Sequence, residues 1–163
     1  MKRLRFILFI VPVLTLLSAC NSLKNDVIYS HFEPVEGQVW RDQAEYFFSF
    51  PIQDTEQKYE VTGVIRYTPA FGLKNIPVGI VKEDADSESP TYKTEVFHLE
   101  FSESRPSSSG GHFVIREALF KIEDSASFPK AGIYTYSLRH LADKDSITGL
   151  AEVGLIVRRL GPL

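Results

Sequence analysis

Tyr46-Phe47-Phe48-Ser49-Phe50-Pro51-Ile52 is the stretch whose reading decides the fold. Tyr46, Phe48, Phe50 and Ile52 take alternate positions, and Glu45, Phe47, Ser49 and Pro51 fall between them. Successive side chains of a strand point to opposite faces, so a period of two reads as a strand with one apolar face. The same period recurs on both sides. Tyr59, Val61, Ile65 and Tyr67 share a face, with Glu60, Thr62 and Arg66 opposite. Gly63 falls on the apolar face, where it suits a bulge or a close backbone approach. Upstream, Val27 to Phe32 reads as a first strand, stopped by Pro34 and Gly37.

Downstream, Ile76 to Val81 is a short apolar strand, and Phe97, Leu99 and Phe101 alternate with His98 and Glu100. Phe113 to Ile122 is apolar without a clear phase. Tyr134, Tyr136 and Leu138, then Ala151, Val153, Leu155 and Val157, complete the pattern. About eight strands divided by Gly, Pro, Asp and Ser predict an all-β chain. A single antiparallel β-sandwich is expected, with a lipocalin-like β-barrel as the alternative. The expected core is Phe48, Phe50, Val61, Ile65, Leu99, Tyr134, Leu138, Val153 and Leu155. Phe128-Pro129-Lys130-Ala131-Gly132 is expected to turn sharply and start the next strand, with Gly132 available for a positive φ. Two polar segments, Glu83 to Pro90 and Glu103 to Gly111, read as exposed loops.

The N-terminus is of another kind. Lys2, Arg3 and Arg5 precede an apolar run from Phe6 to Leu17, followed by the small residues Ser18 and Ala19. This is the three-part layout of an export signal, and the run is too short for the ~20 apolar residues of a spanning helix. The single cysteine of the chain, Cys20, comes next. Leu17-Ser18-Ala19-Cys20 resembles a bacterial lipobox, which assigns residues 1–19 to a signal peptide, Cys20 to lipidation and residues 20–26 to a lipidated tether. Residues 27–163 would form the domain. Several acyl chains hold a protein firmly where one binds reversibly. With Cys20 consumed, the mature domain would have neither free thiol nor disulfide. Loss of Lys2, Arg3 and Arg5 takes the formal charge from −3 to −6. That balance argues against nucleic acid and against a polybasic membrane footprint.

Candidate chemistry is sparse. His31, His98, His112 and His140 show no ligand-pair spacing, and strand-borne His31, His98 and His140 read as solvent-facing. Ser107, Ser108 and Ser109 adjoin Gly110 and Gly111, but the Gly-x-Ser-x-Gly elbow of a nucleophile is missing. Asp84, Asp86 and Glu88 alternate without the glycine and terminal glutamate of a calcium loop. Asp143-Lys144-Asp145 reads as an ordinary turn. No catalytic, cofactor-binding or metal residues are assigned, and an enzyme is not expected. Aromatic content is high, with seven Tyr and twelve Phe. These rings read either as core or as an exposed recognition surface.

An ordered set of short stretches carries a resemblance. They are Cys20, Val27-Ile28-Tyr29-Ser30, Gly37-Gln38-Val39-Trp40 and Phe48-Ser49-Phe50-Pro51-Ile52, with Asp54-Thr55, Tyr59 and Arg66 after them. Phe128 to Tyr134, Ile147-Thr148-Gly149-Leu150 and Val153-Gly154 follow. In that order they resemble the GldH family of gliding-motility lipoproteins. Phe71-Gly72-Leu73-Lys74-Asn75-Ile76 departs from the family's usual Tyr-Pro-Tyr-like stretch. The resemblance implies a non-enzymatic accessory component of gliding motility or a linked secretion apparatus. It would be lipid-anchored in the cell envelope, with protein partners there. The alternative is a lipoprotein that recognises glycan, lipid or peptide through exposed aromatics, and an exposed aromatic cleft would distinguish it.

Overall fold

The computed structural model describes residues 26–84, 93–100 and 115–161, the stretch 93–100 through its backbone. Ten strands are present among them: β1 (Asp26–Pro34), β2 (Val39–Arg41), β3 (Tyr46–Ile52), β4 (Tyr59–Tyr67) and β5 (Asn75–Asp84), then β6 (Lys93–Glu100), β7 (Arg116–Ala126), β8 (Gly132–His140), β9 (Ser146–Thr148) and β10 (Leu150–Arg159). They form two four-stranded sheets, ordered β1-β10-β4-β7 and β3-β8-β5-β6, and a ribbon of β2 and β9. All pairings are antiparallel. The two sheets pack as a sandwich, and each keeps two edges, so the barrel alternative is set aside.

β3 behaves as its period demands. Phe48 and Phe50 are fully buried while Phe47 is 57% exposed. Phe50 meets Tyr29 of β1 at 5.4 Å between ring centroids and stacks on Tyr136 of β8 at 5.7 Å. Phe48 faces His31 at 6.4 Å. These contacts run antiparallel along β1 and β3 and so align the ends of the two sheets. One end holds Asp26, Tyr59, Arg159, Ile52 and Gly132. The other holds Pro34, Tyr67, Leu150, Tyr46 and His140. At ~3.3 Å per residue, the long strands separate these ends by about 30 Å.

Of the expected core, Phe48, Phe50, Val61, Ile65, Tyr134, Leu138, Val153 and Leu155 all lie in one buried cluster. Leu99 and His98 sit on β6, whose side chains are outside the described residues. The cluster also takes in Trp40, Phe128, Ile147 and Leu150. Gly63 provides the anticipated close approach: a Cβ there would lie 2.1 Å from the ring of its cross-strand partner Phe120.

Three expectations need correction. The short strands β2 and β9 are additional to the anticipated set, because three residues carry too little alternation to stand out. Thr62, placed on the polar face by period, is buried together with Val64. β4 is an interior strand flanked by β10 and β7, and an interior strand is shielded from both sides. Finally, the chain does bend at residues 129–131 and β8 does begin at Gly132. Gly132 has φ 159°, next to fully extended backbone, so the turn needs no left-handed glycine there.

Phe50→Ala removes a fully buried ring between the sheets and should cost about 3–5 kcal/mol in denaturant or thermal unfolding. Phe47→Ala, on the opposite face of the same strand, should stay within about 0.5 kcal/mol of the parent. Equal effects would mean that the strand phase is wrong.

Candidate functional site

Three segments far apart in sequence meet at the end of the sandwich that carries His140. Trp40 pairs with Ile147, and Val39 with Thr148, in the β2–β9 ribbon. The Gly149 N–H donates to the Gln38 carbonyl at 2.8 Å, and the Gly149 carbonyl accepts from the Thr68 N–H at 2.8 Å. The Phe71 N–H closes the next turn onto the Thr68 carbonyl at 3.0 Å. Gly149 has φ 86°, and a Cβ on it would lie 2.4 Å from the Phe71 backbone nitrogen. A side chain is excluded both by conformation and by space. Gly37 (φ 61°) and Gln38 (φ 58°) are both left-handed, which turns the chain sharply into β2. For glutamine this is an uncommon backbone state, held by the surrounding bonds.

Trp40 is the buried pivot of this end. Its indole N–H donates to the Ala44 carbonyl at 3.0 Å. Tyr46 and His140 each meet its ring edge-on, with centroids 5.6 Å away. The Asp42 N–H donates to the Asp145 carbonyl at 2.9 Å, which ties the loop after β2 to the start of β9. Two shallow depressions flank Ser146. One, of about 210 Å³, is lined in part by Ala70, Leu73 and Lys144. The other, of about 400 Å³, is lined in part by Arg41, Asp42 and Gln43.

His140 is the residue that sequence reasoning misplaced. Read as solvent-facing, it is 2% exposed and neither ring nitrogen has a hydrogen-bond partner. It lies at the end of β8 opposite Val78 of β5, so it points into the seam beneath Trp40 instead of outward. Burial lowers its pKa from the ordinary 6.5. The Trp40 and Arg41 carbonyls, near the ring but outside hydrogen-bonding geometry, and the Asp42 charge pull the other way.

The remaining candidates do not come together. His31 is exposed and bonds Glu33 at 2.8 Å. Asp84 ends β5, and Asp143, Lys144 and Asp145 are exposed in the connection before β9. Cys20, Asp86, Glu88, Ser107, Ser108, Ser109 and His112 lie outside the described residues. Among the described residues, no three His, Cys, Asp or Glu side chains are grouped to hold a metal ion. The described aromatics are mainly core, and among the large exposed hydrophobics Phe47 is the one aromatic ring.

A polar cluster at the other margin of the sandwich joins the two sheets. Lys82 of β5 donates to Glu123 of β7 at 2.9 Å, and the Tyr136 hydroxyl donates to the same oxygen. The Lys82 ammonium also sits 4.5 Å from the centre of the Phe128 ring. Every group here is engaged within the cluster, which reads as a clamp between layers.

The molecule is thus an all-β sandwich whose far end is a tightly tied tip. It belongs to the GldH lipoprotein family, whose model matches residues 27–157. No curated protein matches the chain. Among solved structures it is similar to one titled "Structure of Eiger TNF from S. frugiperda", at 15% identity and a TM-score of 0.38. That match covers 70% of this chain and 66% of the other. A likeness so distant carries nothing about partners or activity. The stretches that carried the family resemblance acquire a physical meaning. Gly37 to Trp40 and Ile147 to Leu150 are partners in the tip. At the opposite end, the Tyr59 hydroxyl donates to the Asp54 carbonyl at 2.7 Å, and the Tyr59 ring meets Phe128 at 5.5 Å.

The buried imidazole has a pH signature. The unfolded chain takes up a proton near the ordinary 6.5, whereas the folded state does so only at lower pH. In that window the unfolded state holds more protons, so stability falls as pH drops below 6.5, by up to about 1.4 kcal/mol per unit from this group. His140→Leu should remove that part of the slope, read as the difference between parent and variant in urea unfolding from pH 7 to pH 5. Parallel pH profiles would show that the ring is not held neutral.

Proposed function

We propose that this protein is a non-enzymatic envelope lipoprotein, held on a bacterial membrane by lipid on Cys20. It serves as an accessory component of gliding motility or of a linked surface-secretion apparatus. The match of residues 27–157 to the GldH lipoprotein family carries the reading. The lipobox-like Leu17-Ser18-Ala19-Cys20 supports the anchor. In this reading residues 1–19 are removed, residues 20–26 are the lipidated tether and residues 27–163 are the displayed domain. The domain acts by holding protein partners. The described residues favour this over capture of a ligand on aromatic rings, because those rings are mostly spent on the core.

The test is a deletion strain complemented with the parent gene or with Cys20→Ala. Deletion should impair surface motility or secretion, and the parent should restore it. Cys20→Ala should yield folded protein outside the membrane fraction and fail to restore function. Normal motility and secretion in the deletion strain would overturn the proposed role. A Cys20→Ala protein still wholly in membranes would overturn the anchor.

A further inference from the structure

The strand that receives the tether also fixes which end of the sandwich meets the membrane. Five residues, Asn21 to Asn25, separate Cys20 from the first residue of β1, six Cα-to-Cα steps in all. Fully extended they span about 20 Å, less than the length of the sandwich. Asp26 pairs with Arg159, and Arg159 with Tyr59, at the end opposite Trp40 and His140.

That end mixes exposed apolar side chains with the exposed polar side chains of Gln53, Glu56 and Lys58. Ile133 is 51% exposed and Val27 47% exposed. Pro51, the cross-strand partner of Ile133, is exposed on the same face, and Pro129 and Ala131 are exposed in the turn leading into β8. Lys130 stands exposed in the same turn, and a lysine can lay its stem over apolar groups while its ammonium stays in water. The far tip exposes Leu141, Pro69 and Ala70 together with the polar Glu36, Gln38, Asp42, Asp143, Lys144 and Asp145.

We propose that the domain rests on the lipid bilayer through the end where β1 begins, with Pro51, Pro129, Ala131 and Ile133 seated in the interface. This rests on the lipid anchor proposed above. Such a small apolar corner binds weakly when free, but a short covalent tether keeps it at high local concentration beside the membrane. The tip built from residues 35–45, 68–74 and 141–149 is then presented about 30 Å away, facing protein partners.

The protein carries a single tryptophan, Trp40, buried in the far tip, and this supplies an internal reference. The native lipoprotein is purified from membranes and reconstituted in phosphatidylcholine vesicles with or without brominated acyl chains. Parent emission should be unaffected by the bromine. Ile133→Trp should add emission that brominated lipid quenches at least twofold, and Asp143→Trp should add emission that it does not. Both positions are exposed, so neither ring needs room in the core. The mass of the Cys20-containing peptide is measured on the same samples. Acylated Cys20 with equal quenching of the two variants overturns the orientation and leaves the anchor standing. Cys20 without acyl mass overturns the anchor, and the orientation with it.

Discussion

Burial of Phe50 between two sheets is the constraint on which the rest of this structure depends. Its strand is an edge strand of one sheet, yet its ring has no exposure. It is enclosed by Tyr29 from the opposite sheet, by Tyr136 from its own and by Phe128, at 6.0 Å, from the loop between β7 and β8. The chain has one cysteine, in the leader region, so no disulfide can staple these layers. Cross-sheet burial must offset the conformational entropy of ordering the strands. The Lys82–Glu123–Tyr136 cluster supports it from the β5–β7 side. Truncating one partner there would leave a largely buried charge unpaired, which costs more than the pair contributes.

The outer face of the β1-β10-β4-β7 sheet shows how register is held. Glu152, Arg66 and Glu117 lie in one row across β10, β4 and β7, and Arg66 bonds both carboxylates, at 2.7 and 2.9 Å. A second group joins Arg158, Glu60, Lys121 and Asp124. Exposed pairs of this kind add little stability singly. Their value lies in position, since a shift of one residue would put every charge in these rows on the apolar face.

The two ends of the sandwich have different characters, which bears on how a tethered domain can work. At one end, hydrogen bonds and an obligatory glycine lock loops from three parts of the chain into a fixed shape. Such a tip presents the same surface at every encounter and loses little entropy when a partner docks. The other end, where β1 begins, exposes Ile133, Pro51 and the turn before β8. A sandwich places these two surfaces at opposite ends of its strands.

Local alternation by itself determined the strands. β3 and β4 begin and end where their period begins and ends, and eight of the nine expected core residues are buried in one cluster. Period two is a property of the backbone, so it needs no knowledge of neighbours. The proposed export signal and lipidated Cys20 are likewise readings of linear sequence, which need no tertiary neighbours. Tertiary structure alone decided the rest. The sequence places Trp40 just ahead of a strand and His140 at the end of one. Their meeting depends on β2 pairing with β9, more than a hundred residues away, and three-residue strands leave no periodic trace. Gly149 looks like any turn glycine until Phe71 is brought against it from another loop. Which strand lies at an edge, which face of β4 is shielded and at which end β1 begins follow from strand order. Strand order is set by the global burial of both sheets, and no local window of the sequence contains it.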